Sequence, residues 1–290
     1  MSEIRRVAVV GAGTMGAGIA QVFAMAEFEA SLFDLTNEQL ERGTGAIRTM
    51  LAKGVSRGKV TVEQEAAALK RVSTTTDLAS AVENADLVIE AVPEQMDIKR
   101  KVFTQITAAC KPTTLLASNT SSLSITELAS ATDRPERFLG MHFFNPVPVM
   151  KLLEIVVGRE TSDETLALAR DLGERIGKTT IVVKDMPGFA TSRLGIALGL
   201  EAIRMLQQGV ASASDIDTAM ELGYGHPMGP LKLTDLVGLD VRLDIARYLE
   251  SKLGGDTFSP PELLVEMVGM GSLGKKTGRG FYDWTESAKN

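Results

Sequence analysis

The run Gly11-Ala12-Gly13-Thr14-Met15-Gly16 sets glycines at its first, third and sixth places. An acidic residue, Asp34, follows about 20 positions on. The first glycine permits a tight turn, the second lets backbone approach a pyrophosphate, and the third allows close packing of helix on strand. N–H groups at the start of the following helix then meet the phosphates. Asp34 accepts hydrogen bonds from both ribose hydroxyls and repels a 2′-phosphate, and no arginine follows within Leu35–Leu40 to welcome one. Gly11, Gly13, Thr14, Met15, Gly16 and Asp34 are thus expected to hold NAD rather than NADP. The alternative is a bare strand–helix turn, and the flanking elements together with Asp34 argue against it. FAD shares the fingerprint, but the chain lacks the length of the usual flavoprotein elaborations.

Other reactive side chains are few. Cys110 is the single cysteine, which rules out an intramolecular disulfide, suits a reducing compartment and excludes a cysteine-based zinc cluster. His142 and His226 are the two histidines, so no metal site is expected. His226 sits in a proline–glycine turn and reads as structural. His142 falls in a strand-like run, where a lone histidine is either a packed residue or a base that titrates near pH ~6.5.

The elements that must position these residues follow from periodicity and breakers. Strand-like runs cover Arg5–Gly11, Ala30–Asp34, Arg71–Thr75, Asp86–Val92, Thr114–Ser118, Phe138–Phe143, Leu152–Val157 and Thr180–Lys184. Helices are expected at Met15–Glu27, Asn37–Lys53, Asp97–Ala109, Ile125–Ser130 and Asp163–Ile176. Such alternation makes a mostly parallel sheet covered on both faces, a doubly wound Rossmann-type α/β domain over residues 1–184. Beyond Lys184 strand signals vanish. Helical periodicity runs over Phe189–Gln208, Ser214–Leu222, Leu239–Leu253 and Pro261–Val268, so residues 185–290 are expected to be all-helical. Ser124-Ile125-Thr126-Glu127 has capping-box spacing, which makes Ser124 a structural residue.

Composition agrees with two domains: 290 residues, 44% apolar and 23% charged. A net charge of −6 with no polybasic run excludes a nucleic-acid partner. Val7–Ala26 is uncharged and follows Arg5-Arg6, which imitates an export or membrane segment. Its four glycines weaken a spanning helix by about 1 kcal/mol each, so no membrane partner is expected.

Two longer stretches carry a resemblance. Ser118-Asn119-Thr120-Ser121-Ser122-Leu123 and the run from His142 through Asn145 and Pro146 to Leu152, with Glu154 beyond, resemble the short-chain (S)-3-hydroxyacyl-CoA dehydrogenase family. Asp215-Ile216-Asp217, His226-Pro227-Met228-Gly229-Pro230 and the closing run Gly274 to Tyr282 extend the likeness over the whole chain, closest to bacterial 3-hydroxybutyryl-CoA dehydrogenases. The resemblance implies an NAD-dependent oxidoreductase of fatty acid metabolism that turns a 3-hydroxyacyl-CoA into a 3-ketoacyl-CoA. It implies His142 as the base for the 3-hydroxyl proton, Glu154 as the carboxylate that orients the imidazole, and Ser121 as a hydrogen-bond partner of the substrate's 3-oxygen. Glu94, Lys99, Asn145 and Lys276 match family positions that contact the cofactor.

For the acyl-CoA, Lys53 and Arg57 fall where the family sets basic contacts, although a solvated helix face explains them equally well. Ser192 stands where many family members carry an asparagine close to the substrate; serine keeps a hydroxyl but loses the amide's reach. Phe143 and Phe144 either line the pocket or pack the core. The helical domain is expected to bind substrate and to form a homodimer, with Leu194, Leu198 and Ile203 as an apolar stripe, and the protein is expected in the cytoplasm. Two other readings stay open: an NAD enzyme for a hydroxy acid without the CoA carrier, and a non-catalytic dinucleotide sensor.

Overall fold

The computed structural model describes residues 4–285. Eight short strands form one sheet: β1 (Arg6–Val10), β2 (Glu29–Phe33), β3 (Val72–Thr75), β4 (Leu87–Glu90), β5 (Leu115–Ser118), β6 (Phe138–Phe143), β7 (Leu152–Val157) and β8 (Thr179–Lys184). Their order is β3-β2-β1-β4-β5-β6-β7-β8, the doubly wound order extended by two strands. Pairing is parallel from β3 to β6, turns antiparallel between β6 and β7, and is parallel again between β7 and β8. β4, β5 and β6 are buried along their whole lengths, which explains their near-continuous apolar runs.

The connecting helices are α1 (Thr14–Met25), α2 (Asn37–Ser56), α3 (Val62–Arg71), α4 (Leu78–Val82), α5 (Met96–Ala109), α6 (Ile125–Ala129) and α7 (Asp163–Arg175). Phe23, Phe28, Leu32, Leu87 and Leu139 belong to one core cluster. Each such fully buried side chain contributes about 1.5–3 kcal/mol relative to exposure. Helix starts agree with the sequence. Thr36 caps α2, Ser162 caps α7, and Thr61 with Gln64 makes a reciprocal capping box on α3.

The chain divides between Met186 and Pro187, two residues later than residues 184 and 185. The reason is Asp185, whose carboxylate accepts from Ile125 N at 3.0 Å, Thr126 N at 2.8 Å and Ser124 Oγ at 2.8 Å. It thereby satisfies the first N–H groups of α6 and belongs to the sheet unit. Ser124 itself accepts from Glu127 N at 3.2 Å, so it caps α6 as its spacing suggested.

The second unit is built from α8 (Thr191–Gln207), α9 (Ala213–Tyr224), α10 (Pro230–Val237), α11 (Leu239–Leu253) and α12 (Glu262–Gly269) around a core that includes Leu200, Leu231, Leu243 and Leu264. Ile203 is 1% exposed and lies in this core, so it is not surface material as the apolar stripe implied; Leu194 is the exposed member at 72%. Three helices went beyond the periodicity. α3 buries a single residue, Ala68, and shows little stripe. α4 is five residues long, too short for a period to register. α10 begins at Pro230, a residue that ends one turn and also starts a helix at its first position. Among the described residues no helix is long and apolar enough to cross a membrane. Among the described residues no cluster of three or more His, Cys, Asp or Glu side chains is placed to hold a metal ion.

Candidate active site

The glycine turn joins β1 to α1. Gly11 adopts φ +110°, a conformation that disfavours any side chain, and its N–H donates to Phe33 O at 2.8 Å. A Cβ on Gly16 would collide with the Gly11 carbonyl, so helix and strand approach as closely as the fingerprint requires. Above Gly13, by contrast, a Cβ would meet nothing within 4 Å, and Gly13 and Thr14 are exposed. This leaves open space over the first turn of α1, whose N–H groups face a prospective phosphate. Asp34 lies just past β2 and accepts from Ala12 N and from Leu35 N, each at 2.7 Å. A carboxylate has about four acceptor positions, so two remain for ribose hydroxyls. Gly13 and Thr14 share a cavity of about 270 Å³ with Asn145 and Pro146. These residues fit a dinucleotide.

His142 and Glu154 stand directly opposite one another on antiparallel β6 and β7. Opposed residues share a face, which brings His142 Nδ1 to 2.8 Å from Glu154 Oε2. Glu154 is 0% exposed and His142 is buried. An ionised carboxylate only accepts, so in neutral His142 the proton sits on Nδ1 and Nε2 is left as the acceptor. The Phe144 ring lies 4.4 Å, centroid to centroid, from the imidazole, whereas Phe143 is buried in the core. Phe143 N also donates to Asn119 Oδ1 at 3.0 Å, tying the end of β6 to the loop after β5.

That loop carries Ser121 and is organised by Glu94. One Glu94 oxygen, Oε1, accepts from Thr120 Oγ1 at 2.5 Å, Ser121 N at 2.9 Å and Ser122 N at 3.2 Å, with Ser121 Oγ at 3.3 Å. Its Oε2 lies 3.3 Å from Lys99 Nζ. Burial works against the Glu94 charge, but Lys99, the Thr120 hydroxyl and the Ser121 N–H outweigh it and hold the carboxyl below the usual carboxylate range. Lys99 itself is 1% exposed and donates to Glu90 Oε1 at 2.6 Å and Val92 O at 3.1 Å. With Glu94 these partners occupy the three donors of the ammonium.

Glu90, at the end of β4, was not among the residues expected. It is fully buried, accepts from Ser118 Oγ and Val92 N at 2.7 Å each, and burial pushes its carboxyl up. The readable signal is a lone charge closing the apolar strand Leu87-Val88-Ile89-Glu90. Lys178 was also missed. Its ammonium donates to Val147 O at 2.5 Å and Met150 O at 2.6 Å, pinning the segment between Asn145 and β7. Nothing in its local sequence marks it.

Lys53 and Arg57 are exposed at the carboxyl end of α2, Arg57 as its C-cap. In the helical unit Ser192 occupies the first turn of α8, and Lys276 Nζ pairs with both oxygens of Asp240 at 2.6 Å. His226 N donates to Met220 O, a turn contact at the end of α9.

A doubly wound sheet with this glycine turn, and with a histidine–carboxylate pair on the strands, defines an NAD-dependent oxidoreductase. Comparison with known proteins narrows the class. The family model for the 3-hydroxyacyl-CoA dehydrogenase NAD binding domain matches residues 6–186, and that for the C-terminal domain matches residues 188–284. A probable 3-hydroxybutyryl-CoA dehydrogenase of Bacillus subtilis is 46% identical over 284 residues, covering 98% of this chain and 99% of that one. The 3-hydroxybutyryl-CoA dehydrogenase of Bradyrhizobium diazoefficiens is 44% identical over 281 residues, covering 97% and 96% of the two chains. The crystal structure of an (S)-3-hydroxybutyryl-CoA dehydrogenase from Ralstonia eutropha superposes with a TM-score of 0.94 at 41% identity, covering 98% of this chain and all of that one. The chain belongs to the 3-hydroxyacyl-CoA dehydrogenase family, and its cofactor is NAD.

Proposed function

We propose that the protein interconverts short-chain (S)-3-hydroxyacyl-CoA and 3-ketoacyl-CoA, with 3-hydroxybutyryl-CoA and acetoacetyl-CoA as its substrates. The observation that carries this reading is the 2.8 Å contact between His142 Nδ1 and Glu154. With Nδ1–H held by Glu154, Nε2 accepts the proton of the 3-hydroxyl as C3 is oxidised. Glu154, buried beside the ring, stabilises the imidazolium that forms, as the carboxylate does in a catalytic triad. In the reverse direction the imidazolium returns that proton to the ketone oxygen. A base so placed contributes typically ~10²–10⁴-fold in rate. Bound NAD supplies the acceptor for the hydride leaving C3.

Ser121 Oγ donates to the substrate's 3-oxygen, and no covalent intermediate is required of it. Glu94 holds the Ser121 loop and faces the cofactor, while Lys99 acts through Glu94. Gly11, Gly13, Thr14, Met15, Gly16, Asp34 and Asn145 bind the dinucleotide. Lys53 and Arg57 meet the phosphates of CoA. Ser192 and Lys276 are assigned to the acyl group and the cofactor on the resemblance. The helical unit forms a homodimer, to which exposed Leu194 contributes. The single buried thiol, Cys110, suits a cytoplasmic enzyme.

The test follows nicotinamide absorbance as the protein meets acetoacetyl-CoA, with NADH and NADPH in parallel and ethyl acetoacetate in place of the thioester. Rapid NADH oxidation with acetoacetyl-CoA alone is expected. Turnover of the carrier-free ester at a comparable rate would move the assignment to a hydroxy acid without CoA, and a preference for NADPH would overturn the role of Asp34.

A further inference from the structure

Arg242, on α11, is a buried cation without a counter-ion. It is 9% exposed, and its Nε has no hydrogen-bond partner. Among the described residues no carboxylate is paired with its guanidinium; Asp240 on the same helix is taken by Lys276 at 2.6 Å. Burial pulls the guanidinium down to about 10, still far above neutrality, so the charge is present at working pH. A buried charge left unpaired is among the costliest arrangements a fold can keep, and an orphaned polar atom of this kind calls for a partner.

The position of the guanidinium says where that partner comes. A Cβ built on Gly195 of α8 would lie 3.5 Å from Arg242 Nη1, so the guanidinium rests against α8 with no side chain from that residue between them. Ser192 is three residues earlier on α8, on the same face and one turn away. The inference rests on the acyl-CoA reading above, in which Ser192 meets the acyl group.

We propose that Arg242 receives a carboxylate at the far end of the acyl chain, so that the substrates include 3-hydroxyacyl-CoA thioesters of dicarboxylic acids. A guanidinium presents its donors as a planar fork that matches a carboxylate in two-point contact, which an ammonium does not. Three residues of helix rise about 4.5 Å, comparable with the three carbon–carbon bonds from C3 to the terminal carboxyl of a six-carbon chain. A shorter, uncharged chain leaves the guanidinium unpaired, and a long apolar chain would press against it.

The test compares acetoacetyl-CoA with 3-oxoadipyl-CoA as substrates for NADH oxidation by the wild type, Arg242→Met and Arg242→Lys. The wild type is expected to turn over 3-oxoadipyl-CoA with a kcat/KM at least equal to that for acetoacetyl-CoA. Arg242→Met should lower the ratio of the two kcat/KM values about 100-fold, the scale expected when one partner of a buried charge pair is lost. Arg242→Lys should fall between, because it keeps the charge without the fork, and it carries the test if the methionine variant does not fold. A ratio unchanged by either variant, or a wild type that rejects 3-oxoadipyl-CoA, would overturn the proposal. So would an Arg242→Met protein that sediments as a monomer where the wild type is a dimer, which would assign the guanidinium to a carboxylate of a second copy. A wild type inactive on both thioesters would instead sink the acyl-CoA reading itself.

Discussion

Two buried ionic groups lie in the sheet unit, and they are built differently. His142 and Glu154 face each other across antiparallel strands through one 2.8 Å contact. Glu90, Lys99 and Glu94 instead join a strand, a helix and a loop, and one ammonium serves two carboxylates and a carbonyl. In the pair a positive charge appears only when the imidazole is protonated, so its partner matters most while a proton is being moved. In the cluster the charges are permanent, and their hydrogen bonds fix the Ser121 loop. Strand register alone supplies the precision the pair needs; a loop has no such ladder and takes its position from a carboxylate that gathers N–H and O–H donors. The fold therefore handles protons on its strands and spends static charge on positioning.

Breaking the cluster should have the larger effect on stability. Lys99→Met strands two carboxylates, one of them fully buried, and should destabilise the protein by about 3–5 kcal/mol in urea denaturation. Adding Glu90→Gln should recover part of that loss, because glutamine mimics the neutral carboxyl that burial already favours. A double variant as unstable as the sum of the two single ones would mean that Lys99 and Glu90 do not act together.

The smaller effect sharpens the contrast through pH. The Glu94 carboxyl is depressed in the fold, so its contribution is complete above the ordinary value of 4.5 and is lost as pH falls through the lower folded value. Glu94→Gln should cost about 1 kcal/mol or less at pH 7, since the side chain is 37% exposed and water screens it. The gap between wild type and variant should close below about pH 4. A gap that stays constant across this range would remove the charge from the account and leave only packing.

Much of this was legible in the chain. The glycine run, Asp34 and the strands around His142 and Glu154 declare themselves because each combines a local pattern with an element boundary. The antiparallel turn between β6 and β7 was not legible, although Glu154 was expected in a neighbouring strand, because strand direction is set by packing rather than by composition. Lys99 was assigned to the cofactor by its match to the family, and its enclosure by Glu90, Val92 and Glu94 is visible only in three dimensions. Lys178 and Arg242 read locally as ordinary helix- and strand-flanking charges. What distinguishes them is burial, and burial of a long cationic side chain leaves no periodic signature.

The central claim is that His142 and Glu154 act as one unit in proton transfer. Its most direct test measures kcat for NADH oxidation with acetoacetyl-CoA in His142→Gln, Glu154→Gln and the double variant, with NADH affinity and melting temperature as controls. The single His142 change should lower kcat about 10²–10⁴-fold, and adding Glu154→Gln should lower it little further, because residues that act together are not additive. A His142→Gln enzyme within a few-fold of the wild type, or a double variant whose loss is the product of the two single losses, would contradict it.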